Sequence, residues 1–194
     1  MFQKSLTVLG VALLLILAST GLHAQILEID LSVANQVTIT GTSGPASASA
    51  SGSDTTGVYF ENFYGGAGSA LSETFVSGDL TNAENPADGT PELFRGGGGS
   101  DPGLNLWSWS SDSTVTFTAG MPAFIGSATW TLDAASYADM LSGATAGNVY
   151  FPADTEDDVA GATDIGRYRV IVPEPSALSL LSVLGLSLLG IRRR

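Results

Sequence analysis

The sequence has no cysteine, one histidine and one lysine. His23 and Lys4 both lie near the N-terminus, so residues 25–170 contain none of these three residue types. This part of the chain therefore lacks the side chains for three kinds of site. These are nucleophilic sites that need a thiol or an imidazole base, Schiff-base sites that need an amine, and zinc sites built from imidazole or thiolate ligands. We expect this part of the chain not to be an enzyme.

Carboxylates are the remaining catalytic groups, and a glycosidase would need two of them on either side of a cleft, with environments that separate their pKa values. No spacing in the sequence singles out such a pair. A carboxylate-based glycosidase is therefore a weaker alternative. Its candidate residues are Glu61, Glu73, Glu92, Asp133 and Asp139.

Positive charge is also scarce. The chain has seven Lys and Arg against nineteen Asp and Glu, with a formal net charge of −12. Between residues 25 and 191 the basic residues are Arg95, Arg167 and Arg169. Nucleic acids and anionic membrane surfaces would repel such a chain, so we expect no nucleic-acid partner.

The N-terminus has the pattern of a secretory signal peptide. Lys4 precedes an apolar stretch over residues 8–18, and small or polar residues follow up to Ala24. This order predicts export, with residues 1–24 removed; cleavage after Gly21 and an uncleaved membrane anchor are the alternatives. The apolar core is short for an anchor, because a membrane span needs roughly 20 residues.

The C-terminus combines three features in a fixed order. Val172, Pro173, Glu174 and Pro175 come first, an apolar run over residues 177–191 follows, and the chain ends in Arg192, Arg193 and Arg194. The prolines hold the first segment extended, the apolar run predicts a single, marginally short transmembrane helix, and the arginines should stay cytoplasmic. Residues before the tail would then lie outside the membrane.

These residues resemble the PEP-CTERM sorting signal of Gram-negative, exopolysaccharide-producing bacteria. The resemblance covers residues 171–194. It implies that Pro173, Glu174 and Pro175 are recognised by an exosortase in the inner membrane, which removes the tail during sorting. It also implies a transient stay in the inner membrane, followed by display at the cell surface or release outside the cell. It says nothing about the chemistry of residues 25–170.

Residues 25–170 have the sequence pattern of one all-β domain. Short runs of β-branched and aromatic residues alternate with Gly, Ser, Asn and Asp. We predict a single β-sandwich or jelly-roll-like domain with one short helix over residues 134–141, capped by Asp133. The predicted strands cover residues 26–33, 36–40, 57–62, 74–77, 104–110, 113–118, 127–132, 148–151 and 168–172.

Two tryptophans are the best candidates for contact with a carbohydrate. Trp107 and Trp109 are two residues apart, and together with the aromatic run over residues 59–64 they could stack on sugar rings. Strand alternation predicts that about half of these rings belong to the core instead.

The run over residues 154–158 holds the candidate calcium ligands Asp154, Glu156, Asp157 and Asp158. Calcium takes oxygen ligands only, so four carboxylates are chemically adequate. The spacing is not that of an EF-hand, and a solvated acidic loop is the simpler interpretation. We therefore expect no obligatory cofactor, with calcium as the alternative.

Threonine rows such as Thr38 and Thr40 are similar to the binding faces of some ice-binding proteins. The spacing does not repeat along the chain, as a flat solenoid face would require. Ice binding is therefore also a weaker alternative.

Together these patterns predict an exported, exosortase-sorted surface or extracellular-matrix protein. Its expected role is structural or adhesive, in an exopolysaccharide matrix or biofilm. A carbohydrate-binding module is the main alternative, and exopolysaccharide is the expected partner beside the exosortase.

Overall fold

The computed structural model describes residues 23–86, 90–110 and 113–173. Strands account for 42% of the structure and helical segments for 12%, which confirms the all-β class. The strands in chain order are β1 (Gln25–Asp30), β2 (Gln36–Gly41), β3 (Ala50–Gly52), β4 (Val58–Phe60), β5 (Glu73–Gly78), β6 (Thr81–Asn82), β7 (Glu92–Phe94), β8 (Leu104–Trp107), β9 (Val115–Phe117), β10 (Phe124–Ile125), β11 (Ser127–Leu132), β12 (Ala146–Phe151) and β13 (Thr163–Ile171).

Nine of these strands form one large, nearly closed sheet in the order β5-β11-β2-β1-β13-β12-β4-β8-β7. The central pair, β1 and β13, is parallel, and the other neighbours are antiparallel. Strands β3 and β9 form one two-stranded sheet, and β6 and β10 form another. The first and last strands of the domain therefore meet at the middle of the large sheet.

The edge strands β5 and β7 come close together, although they are not paired as strands. The backbone N–H of Leu93 in β7 donates to the carboxylate of Glu73 in β5. Burial of this carboxylate, together with the nearby charge of Glu92, raises the pKa of Glu73. The indole Nε1 of Trp130, on the neighbouring strand β11, donates to the carbonyl oxygen of Pro91 at 3.1 Å. These side-chain contacts link the two edges of the sheet.

The inner face of the large sheet is apolar because its strands alternate. In β8, for example, Leu104 and Leu106 are buried, and they pair with Phe60 and Val58 of β4. Burial of this face is the main favourable term for folding. Other fully buried side chains of these strands are Leu27, Ile29, Val37, Ile39, Trp130, Val149 and Tyr168.

A cluster of aromatic rings joins the two small sheets to the large one. The ring of Trp109 lies 5.9 Å from Phe117 of β9, 5.5 Å from Phe124 of β10 and 6.2 Å from Phe151 of β12, measured between centroids. Edge-to-face and tilted contacts of this kind add to the gain from burial. The two-stranded sheets are thereby packed onto the same core.

The arrangement of strands differs from the predicted sandwich or jelly roll, since nine strands are joined in one continuous sheet. Inward-facing apolar residues alternate with outward-facing polar ones in both architectures. Alternation in the sequence therefore cannot distinguish two stacked sheets from one sheet that curves back on itself.

The predicted helix is confirmed. It is α1 (Ala134–Leu141), and the side chain of Asp133 accepts a hydrogen bond from the backbone N–H of Ser136 at 2.7 Å. Four strands of two or three residues were not predicted, namely β3, β6, β7 and β10. Strand β3 lies within an Ala- and Ser-rich segment over residues 46–53.

The predicted signal peptide and the predicted transmembrane tail lie mainly outside the described residues. Within the described part of the chain, no helix has the length and apolar character that a membrane crossing requires. Strand β13 ends at Ile171, and Val172 and Pro173 follow it as exposed residues.

Arg95 is buried at the start of the loop that joins β7 to β8, and only 3% of the residue is exposed. Its guanidinium donates to the carbonyl oxygens of Gly66, Ser69 and Asp101 at 2.6, 3.2 and 3.0 Å. It also pairs with Oδ2 of Asp139 in α1 at 3.1 Å. The Arg95 Cζ atom lies 3.7 Å from the centroid of the Tyr64 ring. One side chain therefore holds together two loops and the helix.

We expect Arg95→Met to lower the free energy of unfolding by about 3 kcal/mol, because it removes the ion-pair partner of Asp139 and the side-chain donor to three carbonyl groups. Urea denaturation at pH 7 measures this. The matched control is Arg167→Met at an exposed position of β13, which should change stability by less than about 0.5 kcal/mol. Equal losses in the two variants would contradict the role given to Arg95.

Candidate functional site

A cavity of about 210 Å³ opens on the outer face of the large sheet beside β7 and β8. It is lined by Thr55, Phe94, Asn105, Trp107 and Asp154. Alternation explains its aromatic walls, because Leu93, Leu104 and Leu106 point into the core while their strand neighbours point outward. Phe94 is 45% exposed, and Trp107 is half-buried.

Asn105 forms the polar floor of this cavity. Its amide nitrogen donates to the backbone carbonyl oxygens of Thr56, Val58 and Ala153 at 2.9, 3.3 and 2.9 Å. A side-chain amide has two N–H groups, so these carbonyls occupy its donors. The carbonyl oxygen of Asn105 is then the atom that the residue can offer to a ligand.

Asp154 supplies the acidic wall of the cavity and is paired with Asp158. The backbone N–H of Asp154 donates to Oδ2 of Asp158 at 3.3 Å. A hydrogen bond between the two carboxyl groups raises the pKa of Asp154 and lowers the pKa of Asp158. Of the two carboxyl groups, Asp154 is therefore the one that takes up a proton first as the pH falls.

A second, polar cavity of about 250 Å³ includes Asp101, Glu156 and Asp157 in its lining. The carboxylate of Asp101 accepts hydrogen bonds from the Tyr59 hydroxyl at 2.7 Å, from the backbone N–H of Gly103 at 2.8 Å and from that of Glu156 at 3.1 Å. Burial, followed by the hydrogen bond to Asp101, raises the pKa of Tyr59. Asp101 thus fixes the local backbone.

The candidate calcium ligands are split between these two cavities. Asp154 lines the first, whereas Glu156 and Asp157 line the second, and Asp158 is bonded to Asp154. In the described parts of the chain, no three His, Cys, Asp or Glu side chains are grouped so that they could hold a metal ion. Calcium binding at residues 154–158 stays a prediction.

Trp109 is not at the surface, contrary to the prediction that it could stack on a glycan. It is 0% exposed and belongs to the aromatic cluster described above. Strand β8 ends at Trp107, and Ser108 has a φ of 49°, so the alternation that would place both indoles on one face is broken. The aromatic run over residues 59–64 is also interior, since Tyr59, Phe60, Phe63 and Tyr64 are buried.

Sequence reasoning did not identify Thr55, Phe94 or Asn105 as lining residues, and Phe94 is the aromatic one among them. It lies on β7, which has three residues and follows a segment with turn-forming residues. The alternation of Glu92, Leu93 and Phe94 is a signal for a strand, but three residues are too few for periodicity to identify one.

The candidate glycosidase carboxylates have partners in different parts of the fold. Glu61 accepts from the Asn148 amide, Glu73 contacts Leu93 across the sheet edges, Asp133 caps α1, and Asp139 pairs with Arg95. Glu92 lies opposite Trp107 in the β7–β8 ladder. None of these five residues lines the Trp107 cavity.

The threonines considered for ice binding lie on adjacent strands. Thr38 of β2 pairs with Thr129 of β11, and Thr40 pairs with Ser127. The hydroxyls of Thr38 and Thr129 are 2.9 Å apart and bond to each other. Ice binding stays a prediction, as does glycosidase activity.

The predicted sorting residues fall at or beyond the end of the described residues. Val172 and Pro173 are exposed beyond β13. Glu174, Pro175, Arg192, Arg193 and Arg194 lie outside the described residues.

Fold and cavity together define an all-β protein with one nearly closed mixed sheet and an aromatic cavity on its outer face. No family model matches the chain, and no curated protein or solved structure is found to be similar to it.

We expect the two tryptophans to respond differently to truncation. Trp109→Ala removes the centre of a buried cluster and should cost about 3–5 kcal/mol of stability, whereas Trp107→Ala should cost less than about 1.5 kcal/mol. Chemical denaturation of the two variants beside the unmodified protein measures this. A larger loss for Trp107→Ala than for Trp109→Ala would contradict the assignment of surface and core.

Proposed function

We propose that this chain is an exported, surface-sorted protein with an adhesive role in an exopolysaccharide matrix, and that its folded domain contacts carbohydrate at the Trp107 cavity. The observation that carries the proposal is the half-buried indole of Trp107 in a cavity that also holds an exposed phenyl ring and polar groups.

The chemistry of the cavity suits a sugar ring. The face of an indole packs on the apolar C–H face of a pyranose, and neighbouring polar groups can accept hydrogen bonds from ring hydroxyls. At about 210 Å³ the cavity is smaller than most ligand pockets, which begin at about 300 Å³. A single ring of a longer polysaccharide fits this size better than a whole oligosaccharide does.

The remaining lining residues are held in place by the fold. Asn105 is anchored by three backbone carbonyls, and Phe94 directly precedes the buried Arg95. A site that is ordered before binding loses less entropy when the ligand arrives. This rigidity supports a binding role at this surface.

Export and sorting are proposed from the two ends of the sequence. Their support is the signal-peptide pattern before Gln25 and the PEP-CTERM resemblance over residues 171–194. The position of the motif agrees with this role, since Val172 and Pro173 are exposed just after the last strand. Cleavage within the tail would remove no strand of the described sheet.

Binding is tested with the full chain in detergent micelles, applied to a panel of immobilised polysaccharides. We expect saturable binding to at least one polysaccharide, and at least a tenfold loss of affinity, about 1.4 kcal/mol, in Trp107→Ala. Trp107→Phe is the matched control because it keeps an aromatic face, and it should retain most of the affinity. Absence of saturable binding to the whole panel would overturn the carbohydrate part of the proposal.

Sorting is tested in the native host by replacing Pro173 and Pro175 together with alanine. We expect the variant to accumulate in the inner membrane with its tail attached, because the extended recognition segment is lost. Cell fractionation and mass spectrometry of the C-terminus measure this. Normal surface display and normal processing of the double variant would contradict exosortase sorting.

A further inference from the structure

We infer that the Trp107 cavity selects sugar residues with a free amino group, so that its preferred ligand is a deacetylated amino-sugar polymer. This inference deepens the proposed function and rests on it. It follows from three features of the lining residues: their hydrogen-bonding capacity, their charge and their aromatic rings.

The polar groups that face the cavity are mainly acceptors. The N–H groups of Asn105 are taken by backbone carbonyls, which leaves its carbonyl oxygen. The Thr55 and Ser53 hydroxyls are hydrogen-bonded to each other at 2.7 Å, and either of them can be the donor. Asp154 and its partner Asp158 add carboxyl oxygens. A ligand that is rich in donors suits this set, and an ammonium group has three donors and no acceptor.

The charge around the cavity has one sign. Asp154 lines it, Asp158 is bonded to Asp154, and Glu92 lies opposite Trp107 on the neighbouring strand. None of the lining residues is basic. A uronate, sulfate or phosphate group would enter here without a counter-ion, which disfavours acidic polysaccharides.

The arginines of the domain either form other contacts or lie far from the Trp107 cavity. Arg95 is buried against Asp139 and three carbonyl groups. Arg167 and Arg169 are on β13, three strands from β8 in the order of the sheet, and Arg169 pairs with Glu28. The fold therefore separates its positive groups from the cavity.

The aromatic walls favour a cation as well as a sugar face. The rings of Trp107 and Phe94 line the same cavity, and an ammonium group over an aromatic face is attracted by the ring quadrupole. N-acetylation removes this positive charge and adds bulk. The cavity, which is already small for a ligand site, should therefore accept the free amine in preference to the acetylated sugar.

Isothermal titration of the full chain in micelles tests this with four hexasaccharides: β-1,4-linked glucosamine, N-acetylglucosamine, glucose and a uronate oligomer. At pH 6 and 0.15 M NaCl the glucosamine hexamer is expected to bind at least tenfold more tightly than the N-acetylglucosamine hexamer, and the uronate oligomer is expected not to bind. Trp107→Ala is expected to weaken binding of the glucosamine hexamer at least tenfold.

Two charge variants distinguish binding in the cavity from non-specific electrostatic attraction between an acidic protein and a cationic polymer. Asp154→Asn is expected to reduce the preference for the free amine to threefold or less. Glu28→Gln removes a carboxylate on β1, four strands from β8 in the sheet order, and is expected to leave the preference unchanged. Circular dichroism confirms that each variant is folded. If Asp154→Asn does not fold, the inference is tested by the relative affinities of the glucosamine and N-acetylglucosamine hexamers and by the effect of Trp107→Ala.

The outcomes distinguish this inference from the function on which it rests. Equal affinity for glucosamine and N-acetylglucosamine hexamers, or a preference that Trp107→Ala leaves intact, would overturn the amino-sugar inference. The proposed carbohydrate-binding function would still be supported in that case if the neutral or acetylated hexamer bound saturably and if this binding depended on Trp107. Failure to bind any of the four would overturn both.

Discussion

The buried guanidinium of Arg95 holds the part of the molecule on which the candidate site depends. It connects the loops at Gly66, Ser69 and Asp101 with helix α1 through Asp139, and it lies over the ring of Tyr64. The loop it anchors contains Gly96–Gly98 and has little side-chain packing of its own. Because Arg95 directly follows Phe94, this anchor also sets the end of β7 and the position of one wall of the cavity.

Strand β8 connects the core to the surface. Leu104 and Leu106 belong to the inner face of the sheet, while Asn105 and Trp107 line the cavity on the outer face. Asn105 serves both sides, because its hydrogen bonds to Thr56, Val58 and Ala153 join β8 to neighbouring segments while its carbonyl oxygen remains for a ligand. One four-residue strand therefore contributes two side chains to the core and two to the proposed binding site.

Local patterns predicted the elements that depend on local interactions. Helix α1 and strand β11 have the predicted bounds, since a cap and a clear alternation specify them. Elements that depend on distant partners were not foreseen: β3 exists because it pairs with β9, and β7 because it pairs with β8. Trp109 was a candidate for glycan stacking but is buried in the core, because β8 ends at Trp107 and the backbone turns at Ser108. Phe94 was missed for the same reason as β7.

The sequence by itself determined the all-β class, the helix and its cap, and the absence of thiol, imidazole and amine groups from residues 25–170, because composition and short-range periodicity are properties of the chain alone. It also contains the whole basis for predicting export and sorting, which rests on linear patterns at the two ends. Tertiary structure decided that nine strands join one sheet, that Arg95 is buried, and that Phe94, Asn105, Trp107 and Asp154 share a cavity. These features depend on pairing and burial between segments as much as 142 residues apart in the sequence, as in the pairing of Gln25 with Arg167, and no local pattern encodes them.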